Sequence, residues 1–539
     1  MLGALLKNLE KQVSGLSRRE LFGRGGLLAA AGVLPRGAAG AAAGGDIYRS
    51  IGVRPLVNCK GTFTIISGSL TLPEVKRAMD EASRYYVHLD ELMDAVGARL
   101  GQLTGAEWGI VTAGCAAALT HATAACLAGG DPEKLQRLPD LTGLKSEVIA
   151  PRYSRNVYDH AVRMVGVKII EAANLEEFEA AFNPRTAMVM VLASPADSGP
   201  FGLEPICAIA KRKGVPVLVD AAAEHLTIPN VHLKRGADMV GYSGGKCIRG
   251  PQCAGLLLGR KDLLQAAFTN SAPHHAFGRS MKVGKEEIVG MLAAVEAWVK
   301  RDHEAESKTW QSWLDTIARR VSKVEGVTTE VLPPQGLSNR SPRLRIAWDG
   351  AKLGITGQEV EKILLDTEPR IVLGGATGNR RQSLASTLTI MPYMMNPGDD
   401  KIAAERIYAV LSHPPQIPAL ERPAPSVNLT GQWQARLEFM LGSAAHSFIF
   451  EQQGADLVGT HRGETLAGDL RGGVEGNEVR FRSSHRYEGT RIGYEFTGTV
   501  TGDRMEGTVG LEEYGQARFA AERHRYGQPG GVVRPVKNI

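Results

Sequence analysis

The sequence predicts an α/β fold with a large parallel-sheet domain and a small α/β domain, followed by an antiparallel β-barrel or sandwich domain. Three observations along the 539 residues carry this prediction. Between about residues 47 and 411, short β-branched runs alternate with longer amphipathic segments, which is typical of a parallel sheet covered by helices. Five prolines then occur between residues 413 and 427. Beyond them the pattern changes to strand-like alternation with a period of two.

The large domain is predicted to span residues 46–305 and the small domain residues 306–412. Buried strands are predicted from short β-branched runs, and covering helices from amphipathic segments. In the large domain, strands are predicted at residues 187–192, 215–219 and 254–258, and helices at residues 176–182, 205–213 and 285–299. In the small domain, a strand is predicted at residues 343–348 and a helix at residues 357–365.

Residues 413–427 are predicted to form a stiff linker, because proline cannot join the hydrogen-bond ladder of either neighbouring sheet. Residues 428–525 then contain alternating runs, such as Ser-Phe-Ile-Phe at 447–450, separated by glycine turns such as that at Gly476. Short strands about ten residues apart predict a separate accessory barrel or sandwich. Residues 526–539 are predicted to be a tail.

Residues 1–45 resemble a signal peptide of the twin-arginine type. Arg18 and Arg19 precede a short apolar stretch at residues 27–34, and small residues up to Ala43 precede a polar start. The resemblance implies export of a folded, cofactor-loaded protein to the periplasm, where it would be soluble after cleavage. The apolar stretch is shorter than the roughly 20 residues of a membrane span, so no stable membrane anchor is expected. A basic N-terminal helix followed by a linker is the alternative.

The composition is that of a globular protein. Hydrophobic residues make up 43% and charged residues 22% of the chain, which excludes wholesale disorder. Lys and Arg number 63 against 57 Asp and Glu, without a basic cluster, so no nucleic-acid partner is expected. The six cysteines form no C-x-x-C pair, and His274 and His275 have no further ligand at a useful spacing, so no metal site is expected.

Two residues near strand ends indicate a site for pyridoxal 5′-phosphate (PLP). Lys246 follows two glycines just before the predicted strand at residues 254–258, and Asp220 ends a buried run upstream. The carboxyl ends of parallel strands are where α/β sheets bind ligands. A lysine there can form a Schiff base with PLP, and an aspartate can keep its pyridine nitrogen protonated. Taken singly, the lysine also fits a surface turn and the aspartate a helix N-cap.

A cradle for the cofactor's phosphate is expected at the start of an Ala-rich helix. Ala113, Gly114 and Cys115 open this helix, whose first N–H groups and dipole favour an anion. Ser243, three residues before the lysine, can add a hydroxyl to the same phosphate. Close helix packing alone would also explain the small residues. All three elements occur together in the order that PLP binding needs, so PLP is the predicted cofactor.

The stretch from Ser243 to Gly255, Ser-Gly-Gly-Lys-x-x-x-Gly-Pro-Gln-x-x-Gly, resembles the lysine motif of bacterial selenocysteine synthase (L-seryl-tRNA(Sec) selenium transferase) and of the related D-glucosaminate-6-phosphate ammonia-lyases. Further similarities lie at residues 58–61, 103–107 and 279–283, and residues 220–224 are closer to the ammonia-lyase branch. The resemblance covers about residues 47–412. It implies a fold-type-I PLP enzyme with a large cofactor domain, a smaller domain, and active sites at the interface of a homodimer or higher homo-oligomer.

The resemblance also implies roles for individual residues. Lys246 corresponds to the Schiff-base lysine, and Asp220 to the partner of the pyridinium. Arg279 and Lys282 correspond to the cationic pair that handles the anionic substrate of the selenium transferases. Those transferases carry an arginine in a segment where residues 66–69 of this chain have none, which puts selenium-donor chemistry in doubt.

Three further residues are candidates for contacts with cofactor or substrate. Tyr158 and His160 follow the strand predicted at residues 148–150, where such enzymes often stack a ring on the cofactor. Local packing at a helix start is the alternative for both. Arg370, in the small domain, is a candidate for binding a substrate carboxylate, and a surface salt bridge is its alternative.

The expected function is that of an exported PLP-dependent lyase acting on a small amino acid or amino sugar acid. Lys246 would remove the α-proton as general base, a β-substituent would leave, and keto acid and ammonia would be released. An amino-acid racemase and the selenium transferase itself are the alternatives. Export and the absence of a basic tRNA-binding domain speak against the transferase. A non-enzymatic scaffold is a third hypothesis, against which Lys246 and Asp220 argue.

Overall fold

The computed structural model describes residues 47–417 and 422–525. The predicted signal peptide at residues 1–45 and tail at residues 526–539 lie outside the described residues, as do residues 418–421 of the predicted linker. The described part of a first compact unit, which ends at Pro55, contains one short exposed helix. Among the described residues, no helix is both long and apolar enough to cross a bilayer.

Helices and strands alternate up to residue 412, and strands alone follow, apart from one 3-10 turn. The helices are α1 (Ile47–Ser50), α2 (Pro73–Ala82), α3 (Leu89–Thr104), α4 (Gly114–Ala128), α5 (Pro132–Arg137), α6 (Asp159–Arg163), α7 (Leu175–Ala181), α8 (Leu203–Arg212), α9 (Val231–Lys234), α10 (Lys261–Thr269), α11 (Lys285–Lys300), α12 (His303–Val321), α13 (Gly350–Leu353), α14 (Gly357–Asp366) and α15 (Asp399–Ser412). The strands are β1 (Val57–Asn58), β2 (Trp108–Thr112), β3 (Glu147–Pro151), β4 (Lys168–Ala172), β5 (Thr186–Leu192), β6 (Val217–Asp220), β7 (Met239–Ser243), β8 (Gly255–Gly259), β9 (Thr328–Leu332), β10 (Arg343–Asp349), β11 (Ile371–Val372), β12 (Gly374–Asn379), β13 (Ser383–Ile390), β14 (Gly431–Glu438), β15 (Ser443–Gln453), β16 (Asp456–Arg462), β17 (Ala467–Glu475), β18 (Glu478–Tyr487), β19 (Thr490–Thr501), β20 (Arg504–Gly510) and β21 (Gln516–Arg523).

Seven strands form the sheet of the large domain in the order β2-β8-β7-β6-β5-β3-β4. β3 to β7 pair in parallel, whereas β8 runs antiparallel to both β2 and β7, so the sheet is mixed rather than wholly parallel. The cause is the short connection at residues 244–254, which contains no helix between β7 and β8. A parallel return needs a crossover of a dozen or more residues.

The α4 helix occupies the centre of the large domain. Most of its residues are buried, and small side chains such as Ala118 and Ala122 allow it to lie close to the sheet. The strands it covers are almost entirely buried, as is typical of a sheet with helices on both faces. This packing brings the start of α4 to the ends of β6 and β7.

The small domain contains an antiparallel sheet of four strands in the order β12-β13-β10-β9. Helices α12, α14 and α15 cover it, and its core includes Leu344, Ile346, Leu388 and Ile407. The short strand β1 pairs in parallel with β11, which ties residues 57–58 to this domain although they precede the large domain in sequence.

The C-terminal domain is a closed antiparallel barrel of eight strands, so the barrel alternative is confirmed over the sandwich. Each strand from β14 to β21 pairs with the next, and β14 pairs with β21 to close the sheet. Closure removes exposed strand edges. Alternate residues point inward, and most of the interior is filled by apolar side chains that include Trp433, Phe448, Phe450, Phe481, Phe496 and Phe519. His446, His461 and His485 are also buried in the barrel.

Candidate active site

The candidate site lies where β6 and β7 end and α4 begins. Asp220 is the last residue of β6, Ser243 is the last residue of β7, and Gly114 is the first residue of α4. Lys246 follows on the loop between β7 and β8. The fold therefore brings these four sequence-predicted residues to one edge of the sheet, as expected from the rule that ligands bind beyond the carboxyl ends of parallel strands.

Asp220 is a buried carboxylate, with 4% of its surface exposed. Its Oδ1 accepts a hydrogen bond from the Ala222 amide at 3.1 Å and lies 3.8 Å from the Cys115 Sγ. Burial raises the pKa of Asp220 and also that of Cys115, whose thiol remains neutral. In residues 47–417 and 422–525, no lysine or arginine forms an ion pair with Asp220. A protonated ring nitrogen of a cofactor would supply the missing positive partner.

Lys246 is half-buried, and its Nζ donates a hydrogen bond to the Thr62 carbonyl at 3.1 Å. Burial lowers the pKa of its amine, because desolvation outweighs the opposing effects of Cys115, Cys247 and Asp220. Gly245 precedes it where a Cβ would lie 2.1 Å from the Gln252 Oε1. The loop is therefore closely packed around a lysine that carries no carboxylate partner within the described chain.

Three residues near this lysine were not identified by the sequence analysis. The Tyr393 hydroxyl accepts from the Thr62 amide at 3.1 Å and donates to the Asn339 Oδ1 at 2.9 Å. Asn339 is held in turn by a backbone bond to the Ala223 carbonyl, just after Asp220. Asn339 and Tyr393 thus connect the small domain to Thr62, whose carbonyl accepts from the Lys246 amine. The motif at residues 58–61, next to Thr62, was the sequence signal that pointed to this region.

That motif shapes the turn that presents Thr62. The Asn58 Oδ1 accepts from the amides of Lys60 and Gly61 at 3.0 and 2.9 Å. Gly61 has a φ of +104°, and a Cβ there would lie 2.6 Å from the Tyr393 hydroxyl oxygen. Only glycine satisfies both conditions without strain.

The start of α4 fits a phosphate. Ala113 is the N-cap and makes no side-chain capping bond, so no side chain satisfies the first amides of the helix there. Gly114 has a φ of +85°, and a Cβ on Gly255 would lie 2.3 Å from the Gly114 carbonyl carbon. Ser243 is paired with Gly255 across β7 and β8, which places it beside this helix start. An uncapped helix N-terminus, a buried unpaired aspartate and a lysine without a counter-ion are together what PLP requires.

Tyr158 and His160 flank a buried ion pair. Both are exposed, Tyr158 to 53%, whereas Asp159 between them is 1% exposed and pairs with the buried Arg155. The Asn156 side chain accepts from the Tyr158 amide at 2.7 Å and so shapes this loop. Ring stacking on the cofactor stays a prediction for Tyr158 and His160. Arg155 and Asp159 were not identified from the sequence.

The cationic candidates for substrate binding lie in two other places. Arg279 and Lys282 are exposed on the loop between α10 and α11. Arg370 is half-buried in the small domain, where its Nε donates to the Leu365 carbonyl at 2.7 Å near the end of α14. A role in substrate binding stays a prediction for all three residues.

A cavity of about 360 Å³ lies between the large and small domains and includes Cys247 and Tyr393 in its lining. Its other side chains include His225, Arg301 and Arg340. The Arg301 guanidinium pairs with Glu306, whereas Arg340 forms no ion pair among the described residues. Burial lowers the pKa of His225 to about 4, with further lowering from neighbouring cations, so its ring is neutral.

A family model described as Aminotransferase class-V matches residues 140–282. The chain is 28% identical over 380 residues to the D-glucosaminate-6-phosphate ammonia lyase of Salmonella typhimurium (strain 14028s / SGSC 2262), a match that covers 68% of this chain and 98% of that protein. About a third of this chain therefore has no counterpart in that relative. A solved structure of D-glucosaminate-6-phosphate ammonia-lyase has a TM-score of 0.60 at 27% identity, covering 69% of this chain and 99% of its own.

Two relatives with other activities are also similar. The chain is 31% identical over 298 residues to the 5′-C-glycyluridine monooxygenase-decarboxylase of a Streptomyces species, covering 52% of this chain and 72% of that protein. It is 26% identical over 277 residues to the L-seryl-tRNA(Sec) selenium transferase of Moorella thermoacetica, covering 46% of this chain and 57% of that protein.

Proposed function

We propose a lyase reaction for this chain on the premise that it belongs to the fold-type-I, PLP-dependent family of D-glucosaminate-6-phosphate ammonia-lyases and selenocysteine synthases. It is thus an enzyme with PLP as its cofactor. The proposed reaction is elimination from a 2-amino acid that carries a hydroxyl on Cβ and an anionic group farther along the chain. Glucosaminate 6-phosphate, the compound that gives the Salmonella relative its name, belongs to this class.

The observation that carries the proposal is the state of the Lys246 amine. It is half-buried, its pKa is lowered by desolvation, and its described hydrogen bond is donated to a carbonyl rather than to a carboxylate. Such an amine reaches its neutral form more easily than an exposed lysine does, which a general base near neutral pH requires.

When bound, PLP supplies an electron sink for negative charge on the substrate Cα. Asp220 would hold the protonated ring nitrogen, and the start of α4 with Ser243 would hold the phosphate. Lys246 takes the Cα proton at Nζ and returns a proton to the departing β-hydroxyl, so that water leaves. The unsaturated amine is then hydrolysed to a 2-keto acid and ammonia. The Thr62 carbonyl orients Nζ during both transfers.

The cavity beside Cys247 supports an anionic substrate. Arg340 lines it without an ion pair in the described chain, and the neutral His225 ring can form a hydrogen bond there. Two carboxylates also line it, but Glu304 pairs with Lys308 and Glu306 with Arg301. A carboxylate or phosphate on the far end of the substrate would find a cation in this cavity. The preference for an anionic tail is therefore part of the proposal.

The test is a panel of amino acids assayed with PLP for ammonia and 2-keto acid. It contains D-glucosaminate 6-phosphate, D-glucosaminate, and both enantiomers of serine and alanine. We expect ammonia and keto acid in equal amounts from a hydroxylated member, no activity in Lys246→Ala, and wild-type activity in the exposed control Lys211→Ala. Racemisation without ammonia would contradict elimination, and an active Lys246→Ala would contradict the assigned base.

Arg340→Gln tests the anionic tail separately. We expect it to raise KM for a phosphorylated substrate about tenfold or more while leaving KM for its dephosphorylated form unchanged, since it removes a charge-assisted contact. Equal effects on both substrates would contradict this assignment.

We also propose export by the twin-arginine route and a homodimeric state. Arg18 and Arg19 before the apolar stretch support export, and the family resemblance supports the dimer. Cell fractionation of the wild type and of Arg18→Lys/Arg19→Lys tests export, and wild-type protein confined to the cytoplasm would contradict it. Sedimentation of the purified holoenzyme tests the dimer, and a monomer would contradict it.

A further inference from the structure

The β18–β19 hairpin of the barrel contacts the large domain beside the candidate site. Its turn carries Glu488, with a φ of +53°, and Gly489. The Glu488 carboxylate pairs with the Arg155 guanidinium, which is 3% exposed and also pairs with Asp159 and Glu171. One buried cation thus joins a carboxylate of the barrel to two carboxylates of the large domain.

Neighbouring residues of the hairpin extend this contact. Arg486 lies 3.6 Å from Glu171, and the Arg163 guanidinium lies 5.5 Å from the centre of the Tyr487 ring. A charged and an aromatic side chain at the end of β18 therefore contact β4 and the segment between β3 and β4.

Gly489 approaches the backbone of the large domain. A Cβ at this position would lie 2.2 Å from the Asn156 carbonyl oxygen and 2.4 Å from the Asp159 Oδ2. Outside its own residue and its two chain neighbours, a Cβ atom essentially never lies within 3.0 Å of a heavy atom. The hairpin can therefore occupy this place only if residue 489 is glycine.

The segment that the hairpin contacts also lies against elements of the candidate site. The Ser154 Oγ accepts from the Leu192 amide at 3.0 Å, next to the end of β5. The Ala161 carbonyl accepts from the Thr120 hydroxyl of α4 at 2.7 Å. Asp159 is also close enough to Asp220 to raise the pKa of that carboxyl, although burial is the main cause. The segment thus lies between the barrel on one side and α4 with Asp220 on the other.

We propose that the barrel is a positioning element for the cofactor site, in which Glu488 and Gly489 hold residues 152–163 against α4 and Asp220. Glu488 acts through Arg155, and Arg155 acts through Asp159. Tyr158 and His160 are carried on the same short segment, so their placement depends on this contact. The role applies to any reaction at the cofactor and does not rest on the proposed lyase activity.

Two variants in the full-length protein test the proposal, each with a matched control in the barrel. Glu488→Gln removes the charge on the turn, and Glu506→Gln removes an exposed barrel charge without a described ion pair. Gly489→Ala introduces the clashing methyl group, whereas Gly510→Ala places a methyl at an ordinary contact distance of 3.8 Å.

The readouts are amide hydrogen exchange of residues 152–163 in the apoprotein, the Kd for PLP, and the visible circular dichroism of the bound cofactor. Glu488→Gln and Gly489→Ala should each raise the exchange rate and the Kd about tenfold or more, since a contact to a buried charge is lost. Both should also change the dichroism of the cofactor, while the two controls remain within about twofold of the wild type.

Unchanged exchange in Glu488→Gln would overturn the proposal, even if Gly489→Ala fails to fold. Faster exchange with an unchanged Kd and dichroism would also overturn it, because the hairpin would then dock without acting on the cofactor site. A higher Kd together with faster exchange supports the proposal whether or not the protein turns over any amino acid.

Discussion

Gly255→Ala should damage both the stability of the large domain and its affinity for PLP. β8 and the start of α4 approach so closely at this residue that an added Cβ would lie 2.3 Å from the Gly114 carbonyl carbon, 2.5 Å from its oxygen and 2.6 Å from the Cys115 amide nitrogen. All three neighbours are backbone atoms, so no flexible side chain can move aside.

The magnitude follows from the size of the overlap. Ordinary contacts of a Cβ begin at 3.4 Å, so β8 and α4 must separate by roughly 1 Å to admit the methyl group. Overpacking of a core costs about 1–3 kcal/mol, and a clash with three backbone atoms of one rigid peptide unit belongs at the upper end, near 3 kcal/mol. Because the same separation displaces the Gly114 and Cys115 amides, we expect the Kd for PLP to rise about tenfold or more.

Urea denaturation of the apoprotein and titration with PLP measure the two effects. Gly130→Ala is the matched control, because Gly130 follows the same helix and has no atom within 4 Å of its Cβ position. We expect the control to retain wild-type stability to within about 0.5 kcal/mol. If Gly255→Ala behaved like Gly130→Ala in both measurements, the packing account of the cradle would be wrong.

Three further predictions concern single side chains. Tyr393→Phe leaves the Thr62 amide without its acceptor, so we expect the free energy of unfolding, measured with urea, to fall by about 1–3 kcal/mol and kcat to decrease. An unchanged kcat would show that Tyr393 does not contribute to the site. In the apoprotein, burial lowers the pKa of Lys246 from 10.5, so the charged amine destabilises the folded wild type. Lys246→Met should therefore have a higher free energy of unfolding than the wild type at pH 7, and this difference should shrink as the pH rises towards 10.5. A difference that does not depend on pH would contradict this. Burial lowers the pKa of His461 inside the barrel to about 2, so stability should fall as the pH drops below 6.5, and His461→Phe should weaken that fall in thermal melts between pH 7 and pH 4.

The positions of the lysine and the aspartate at or beyond strand ends could be predicted because their signals are local. Asp220 ends a run of buried strand residues, and Lys246 lies on a glycine turn that follows the next strand. Strand ends and glycine turns are determined by neighbouring residues, so a single sequence is enough to find them. The barrel was recognised for the same reason, since each hairpin is a local unit with a period of two.

Contacts between distant residues could not be predicted in this way. Thr62 and Tyr393 are separated by 331 positions, and Arg155 and Glu488 by 333. Nothing in the local pattern around Glu488 distinguishes it from other charged residues at hairpin turns. The antiparallel direction of β8 is an intermediate case, because the shortness of the connection before it was visible in the sequence.

The closure of the barrel by β14 and β21 determines where other polypeptides can be attached. In an up-and-down barrel of eight strands, the first strand begins and the last strand ends on the same rim, and the β18–β19 hairpin lies on the opposite one. A fluorescent protein or affinity label joined after β21 would therefore leave the molecule on the rim opposite Glu488 and Gly489. An insertion at the tip of that hairpin would instead separate the barrel from the large domain.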